Sequence, residues 1–562
     1  MSDPEQIWRT AFRHPGEWDR AFPPQSMVDL FEASATAHPA APLIDFMGRK
    51  YSYGETLDGA DRVAHGLKEL GYGPGDRIGL FLPNVPHYVA AYYGILKLGA
   101  VAVNFSPLYA VDELRAQVED SGTKLLFTLS ASALLPTALR VLDGSTLERL
   151  VVGSVAGALP SAKSFFYRLF KRKEVTSRPA DPRILAFSAL IHNDGSADHP
   201  KIDPEKDLAL IQYTGGTTGT PKGAMLSHQN LSANARQTAL LDPDMGKATD
   251  SVLGVLPMFH VFANTCVLNR TVLAGGEIVM LPRFNAKQAL AALRRTRTRA
   301  LPGVPTMFQA LLDCADMTAD SFSSVRFCIS GGAPLPEALK TSFEALTGSR
   351  LIEGYGLSES SGVVSANPYD GLNKPGTIGQ PLAGTRVRLV DKEDPSKPPP
   401  EGEPGELLVC GPQIMRGYWN RPDADAGVFV TDAAGDRWLR TGDVATIDAD
   451  GYIRIVDRLK DMIAVGGFKV FPSQIEEVLY RNPAVKEALV IGLPDAYHGE
   501  LPHAFVTLNE GETATGAELS QWLNARLGKH ERVAEIVVRE SLPKTMIGKL
   551  SRKDLLAEVS PK

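Results

Sequence analysis

The stretch Tyr213-Thr-Gly-Gly-Thr-Thr-Gly-Thr-Pro-Lys-Gly-Ala224 follows the apolar run Leu208–Gln212 and has few side chains that could pack a core. Such a loop costs conformational entropy, so its residues point to a ligand. Its glycines let successive backbone N–H groups converge into an anion-binding nest. Thr214, Thr217, Thr218 and Thr220 add hydroxyl donors, and Lys222 adds a mobile point charge able to follow a departing phosphate. Lys222 sits between Pro221 and Gly223, so the pattern is not GxxxxGK[ST], the usual cradle of nucleotide hydrolases. The chemistry expected here is the handling of a phosphate compound; a plain flexible connection is the bland alternative.

Leu208–Gln212 reads as the strand leading into the loop, Ala224–Leu226 as a short strand leaving it, and Ser227 as the N-cap of a helix. Upstream, strands at Arg77–Phe81, Val101–Asn104 and Lys124–Thr128 alternate with helices at Asn84–Leu98 and Tyr109–Asp120. This rhythm predicts a mostly parallel sheet covered on both faces. It recurs at Val252, Gly276–Leu281 and Arg326–Ser330, so two related α/β lobes are expected. Near Gly405 short strands such as Glu406–Val409 and Gly451–Val456 predict a small β-rich subdomain. Beyond the charged run Asp457–Asp461 come a helix at Ser473–Tyr480, strands at Ala488–Gly492 and Ala504–Leu508, and a helix at Gly516–Leu527. The fold class is therefore α/β: residues 1–459 as a large N-terminal domain, and 460–562 as a small α+β domain, with the boundary at Leu459–Lys460.

The bulk numbers fit that architecture. A chain of 562 residues exceeds one hydrophobic core, and 44% hydrophobic with 22% charged residues is ordinary for a globular protein. A net charge of −6 argues against nucleic acid as a partner. Cys266, Cys314, Cys328 and Cys410 form no CxxC pair, which argues against a zinc site or disulfide framework and suits a reducing compartment. The charged N-terminus does not read as a signal peptide, and no window offers about 20 apolar residues, so a cytoplasmic location is expected.

Four more blocks accompany the loop: Leu351–Ser361 (LIEGYGLSESS), Arg440–Asp443 (RTGD), Asp457–Lys469 (DRLKDMIAVGGFK) and Pro543–Lys553 (PKTMIGKLSRK). With the loop, they resemble in kind and order the motifs of the adenylate-forming superfamily, which includes acyl-CoA synthetases, aryl-CoA ligases, luciferases and non-ribosomal adenylation domains. The resemblance runs from about Leu30 to Leu556. It implies ATP and Mg2+, attack of a substrate carboxylate on the α-phosphorus, release of pyrophosphate, and transfer of the acyl group from AMP to CoA.

The resemblance also implies residue roles. Tyr213, Thr214, Gly215, Gly216, Thr217, Thr218, Gly219 and Lys222 would form the phosphate loop. Gly332, Ala333, Glu353, Gly354, Tyr355 and Gly356 would surround the adenine, and Ser358, where many relatives carry threonine, would contact the α-phosphate. Glu359 is the expected magnesium ligand, with Thr214 a weaker candidate. Asp443 would accept the ribose hydroxyls, and Arg458 would assist the ribose or phosphate end. Lys549 is the expected catalytic cation of adenylation, because an ammonium between a carboxylate and a triphosphate stabilises their approach. Lys460 is the expected hinge, about which the small domain would exchange Lys549 for a CoA-side segment of Gly466, Gly467, Phe468 and Lys469.

Phe259, His260 and Val304 are the expected acyl-pocket residues. Amino-acid-activating relatives place an aspartate where this chain has His260, so an amine-bearing acid is disfavoured. Ser365–Asp370 (SANPYD) resembles bacterial long- and medium-chain fatty acid–CoA ligases in particular, whereas dicarboxylate- and aryl-CoA ligases share most of the other blocks. The competing readings are an acyl-AMP ligase loading a carrier protein, a degenerate nucleotide-binding module, and a light-emitting oxidase. Oligomeric state stays open, a homodimer included. Ser164–Lys173 (SFFYRLFKRK) reads either as a surface helix packing its aromatics inward or as a contact with a membrane surface.

Overall fold

The computed structural model describes residues 6–559, apart from 197, 215–220, 243–249, 467, 496 and 546–548. Two large sheets carry the N-terminal part. One has eight strands in the order Gly417–Tyr418, Gly223–Ser227, Leu208–Tyr213, Val101–Asn104, Arg77–Leu80, Leu125–Leu129, Arg149–Gly153, Ile184–Ala186. Its centre is parallel, as the alternating pattern predicts, while Gly223–Ser227 turns back antiparallel on Leu208–Tyr213. The second has nine strands, with a parallel run through Arg350–Tyr355, Phe327–Ser330, Ala300–Gly303, Ser251–Gly254 and Glu277–Met280.

The two lobes are not two consecutive halves of the chain. Pro42–Phe46, near the N-terminus, adds in parallel to Glu277–Met280 and brings Arg49–Ser52 with it. One continuous buried cluster joins both sheets through the helices Met27–Ala37, Tyr53–Glu69 and Pro86–Lys97. The apolar run near residue 90 is thus a core helix, buried over most of its circumference. Its Gly94 is required there: a Cβ would lie 2.6 Å from the Val63 side chain and 2.8 Å from the Ala60 carbonyl. No helix among the described residues is long and apolar enough to cross a membrane.

The β-rich unit after Gly405 begins earlier than expected, at Arg386–Val390, and ends with Ile453–Arg458 as a five-stranded sheet. A further mixed five-stranded sheet spans Ile463–Val465 to Glu535–Val538, with helices Pro472–Leu479, Gly516–Asn524 and Arg552–Val559. Its two longest strands form one hairpin, Val485–Asp495 against Gly499–Leu508, longer than the apolar cores Ala488–Gly492 and Ala504–Leu508 that sequence marks. The extension keeps Leu493 and Leu501 against the apolar clusters of this domain, and Asp495 closes the turn by accepting the N–H groups of Tyr497 and His498 at 3.0 and 2.7 Å.

The aromatic-basic segment forms the helix Ser161–Phe170, but its rings do not pack inward as one of the two expectations had it. Phe165, Phe166 and Phe170 are 63%, 56% and 73% exposed. Among the described side chains of the helix, Tyr167 packs against the main core, and Lys163 Nζ donates to the Met47 carbonyl at 2.8 Å.

Candidate active site

The phosphate-type loop is the tip of a hairpin. Tyr213 pairs with Gly223, and the Thr214 N–H donates to the Lys222 carbonyl at 2.9 Å, so its neck is closed. Gly215, Gly216, Thr217, Thr218 and Gly219 lie outside the described residues. Ser227 caps the following helix: its Oγ accepts the Asn230 N–H, and the Asn230 side chain accepts the Ser227 N–H. The Tyr213 hydroxyl donates to Asp120 at 2.7 Å, so this side chain anchors the base of the loop to the helix Val111–Ser121.

Lys222 lies over the ring of Tyr418, 5.0 Å from its centroid, and the Tyr418 hydroxyl donates to Glu359 Oε1 at 2.7 Å. Tyr418 therefore ties the root of the loop to the expected magnesium ligand. Glu359 rides on the single turn Ser358–Ser360 that follows strand Arg350–Tyr355. That reversal demands glycine at position 356, where a Cβ would sit 2.0 Å from the Gly362 carbonyl oxygen. A cavity of about 270 Å3 opens beside it, lined by Glu359, Tyr418, Thr441, Gly442 and Leu459.

Across this space, strand pairing sets Asp443 opposite Arg458. Arg458 Nε stands 3.1 Å from Asp443 Oδ1, and the Tyr355 hydroxyl donates to Oδ2. Asp443 is buried with both oxygens oriented before any ligand arrives, and each keeps lone-pair capacity for a ribose hydroxyl. Burial, and then Asp443, pushes the Tyr355 phenol far up, so it stays a donor. Asp443 raises Arg458 in turn.

Lys549 enters this cluster from the C-terminal region. Thr545 holds its backbone: the Thr545 N–H donates to the Lys549 carbonyl at 2.6 Å, and the Lys549 N–H to Thr545 Oγ at 3.2 Å. Burial and then the neighbouring Arg458 charge push its amine down to about 8, against the pull of Asp443. Lys460 is also lowered, by desolvation first and Arg458 second, with Asp443 and Glu359 opposing.

His260 feels the same amine. Burial, then the Lys549 charge, lowers it to about 4, so the imidazole is neutral at pH 7. Its Nδ1 accepts the Phe262 N–H at 3.3 Å as the N-cap of a short helix, which leaves Nε2 carrying the proton. Behind it, Asn264–Asn269 forms a wider π-helical turn whose Thr265 hydroxyl donates to the Ser361 carbonyl at 2.5 Å. This contact couples the His260 segment to the Glu359 turn. A Cβ on Gly331 would be 3.1 Å from the Phe262 ring, and one on Gly332 would be 3.7 Å from Val304. The loop Gly331–Pro334, with Ala333, thus separates the Tyr355 side from an apolar wall of Phe262 and Val304.

Glu353 lies on the strand Arg350–Tyr355. It is buried, accepts the Leu335 N–H at 3.1 Å, and is pushed up to about 8 by that burial. It shapes the Gly331–Pro334 loop from beneath. Of the expected CoA-side residues, the Gly466 N–H donates to the His498 carbonyl at 2.7 Å, and Lys469 pairs with Glu393 at 2.8 Å. Phe468 lies in the strand Phe468–Val470, and Gly467 is outside the described residues. Sequence reasoning missed Tyr418 as a site residue. Nothing local marks Tyr418, and only its partner Glu359 gives it a role.

Residues 31–419 match the AMP-binding enzyme family, and 474–549 match the AMP-binding enzyme C-terminal domain. The chain is 37% identical over 557 residues to a long-chain-fatty-acid–CoA ligase of Bacillus subtilis strain 168, covering 99% of this chain and 98% of that protein. Among solved structures it is similar to ATP-bound MatB from Rhodopseudomonas palustris, at 28% identity and a TM-score of 0.82 over 95% of this chain and 99% of that one. Against the apo form of that protein the TM-score is 0.73 at equal coverage. The family model over residues 31–419 and the near full-length similarity to a curated ligase show that this chain is a member of the AMP-binding, adenylate-forming enzyme family.

Proposed function

We propose that the protein activates a long-chain fatty acid: the carboxylate attacks the α-phosphorus of ATP, pyrophosphate leaves, and the acyl-adenylate passes its acyl group to the CoA thiol with release of AMP. The observation that carries this reading is the prearranged Asp443, held by Arg458 Nε at 3.1 Å and by the Tyr355 hydroxyl, with Lys549 near enough for the Asp443 and Arg458 charges to shift its amine. Lys549 offers positive charge where two anions must meet, and that charge interacts more strongly with the transition state than with the separated reactants. His260 Nε2–H is a donor suited to orient the acid without adding charge. Asp443 and Arg458 hold the ribose end, and Lys222 follows the departing pyrophosphate.

A magnesium ion fits the donor set. Glu359 supplies a hard carboxylate at the cavity, oriented by Tyr418, and Thr214 lies at the loop root. No cluster of three or more acidic, His or Cys side chains forms a metal cage among the described residues, which suits an ion shared with substrate phosphates. When bound, it would neutralise charge on the triphosphate.

The thioester step needs a second arrangement, in which Gly466 and Lys469, here engaged with His498 and Glu393, would replace Lys549 at the site. Rotation of residues 460–562 about Lys460 would exchange them. The higher similarity to the ATP-bound than to the apo form of one relative supports the present arrangement as the adenylating one. The fatty-acid assignment rests on the Bacillus subtilis relative and on the apolar wall of Phe262 and Val304. Such acids partition into bilayers, so peripheral membrane association belongs to this function.

The test is exchange of labelled pyrophosphate into ATP over a series of straight-chain, aryl and dicarboxylic acids, followed by addition of CoA. Exchange that rises with chain length, and acyl-CoA formed only when CoA is added, is the expected result. Exchange restricted to aryl or dicarboxylic acids would overturn the substrate class, and no exchange with any acid would overturn the chemistry.

A further inference from the structure

The helix Ser161–Phe170 points its apolar residues at solvent. Phe165, Phe166, Leu169 and Phe170 are 63%, 56%, 46% and 73% exposed, among the most exposed large apolar side chains described. They form one patch: the Phe165 and Phe166 rings meet edge to face at 5.7 Å, and Phe166 and Phe170 stack at 6.1 Å. A helix that folds onto its own protein turns such residues inward, so this face awaits an external surface.

The helix is nevertheless seated. Tyr167 packs against the main core, Lys163 Nζ donates to the Met47 carbonyl at 2.8 Å, and Arg49 and Tyr51 donate to the carbonyls of Gly157 and Ala158 just before it. It presents its rings from a fixed base rather than from a loose tail.

Charge identifies the occupant. From Lys163 to Lys173 the sequence holds Lys163, Arg168, Lys171, Arg172 and Lys173 and no acidic residue, within a chain of net charge −6; Glu174 follows and pairs with Lys171 at 2.5 Å, which leaves the segment with a net positive charge. Exposed rings bordered by a local positive cluster on an otherwise acidic protein match the headgroup and acyl boundary of an anionic bilayer, where aromatic side chains insert and lysine and arginine meet lipid phosphates.

We infer that the helix Ser161–Phe170 is a membrane-docking element that inserts Phe165, Phe166 and Phe170 into the interface of an anionic lipid surface. The inference rests on the fatty-acid reading for its purpose, since a ligase seated there would draw its acid from the bilayer. The exposure and charge that carry it are independent of which acid is activated.

The experiment is flotation of the full chain with vesicles of phosphatidylcholine alone or mixed with phosphatidylglycerol, in the absence of acid, ATP and CoA. A failure of docking is thereby separated from a failure of the substrate assignment. The expected result is binding to the mixed vesicles that weakens with salt. The triple substitution Phe165→Ser, Phe166→Ser and Phe170→Ser is expected to lower affinity at least about tenfold, and Lys173→Glu to remove most of the dependence on phosphatidylglycerol. All four positions are remote from the nucleotide cluster, so pyrophosphate exchange with a soluble short acid should stay unchanged, which also reports that the variants fold. Equal flotation of wild type and triple variant, or no flotation with either vesicle, would overturn the inference. So would a dimer of the lipid-free wild type that the triple substitution converts to monomer, which would assign the face to a second copy of the chain.

Discussion

Single residues carry the chemistry, and their protonation sets its pH range. In the proposed mechanism Lys549 bridges two anions as an ammonium, and burial lowers its amine to about 8. It is charged below that pH and neutral above it. We therefore expect kcat/KM for adenylate formation to fall as pH rises past about 8, and the fall to vanish in Lys549→Arg, whose guanidinium does not titrate. A profile identical in both proteins would contradict the role. Lys549→Ala should abolish pyrophosphate exchange while sparing acyl-CoA formation from supplied acyl-adenylate; equal loss of both steps would remove the assignment. His260, at about 4, should contribute no inflection between pH 5 and 8. Tyr418 acts through Glu359, so Tyr418→Phe should weaken the Mg2+ dependence of exchange by about tenfold, read from a magnesium titration at saturating ATP. Unchanged magnesium dependence would reduce that hydroxyl to a packing role.

At the scale of elements, the molecule uses contacts that lie far apart in the chain. Arg552, three residues after Lys549, begins the last helix and touches both sides of the expected hinge. Its guanidinium reaches Glu476 at 2.7 Å, Ser473 Oγ at 2.9 Å, Asp461 at 3.2 Å and Asp457 at 3.7 Å. Asp457 also accepts the Ser473 N–H at 2.7 Å, joining strand Ile453–Arg458 to helix Pro472–Leu479. Burial raises Asp457 and Glu476 against the pull of Arg552, so removing the arginine would strand two buried carboxylates. We expect Arg552→Gln to destabilise by about 3–5 kcal/mol in urea unfolding and to slow pyrophosphate exchange more than acyl transfer from supplied acyl-adenylate. A proportional loss of both would mean that the cluster serves stability alone. The helix pair Tyr53–Glu69 and Pro86–Lys97 is tighter still, and Gly94→Val should cost about 1–3 kcal/mol because the added carbons meet Val63 and the Ala60 carbonyl.

For the whole molecule, the proposed alternation makes a prediction that no local change does. Lys460→Pro would restrict the φ rotation expected to turn the small domain. Pyrophosphate exchange should persist, while thioester formation from supplied acyl-adenylate should fall by orders of magnitude. Retention of both steps would move the pivot elsewhere.

Much of this was legible in the sequence, and for a physical reason. Phosphate loops, glycine reversals and caps are local: the Thr- and Gly-rich loop, Gly356 and Ser227 each express a requirement met within a few residues of the chain. The alternating strands and helices likewise follow from local periodicity. What stayed hidden depends on partners that no local pattern encodes. Strand Pro42–Phe46 crosses to the second sheet, Tyr418 finds Glu359, and Arg552 gathers carboxylates from either side of Lys460. The direction of the aromatic helix was undecidable for the same reason, since hydrophobic periodicity marks a face but not what covers it. Residue order determined the kind of chemistry; only tertiary packing, which sets who is buried beside whom, decided that Lys549 sits in the site with a lowered pKa and that Phe165, Phe166 and Phe170 face outward.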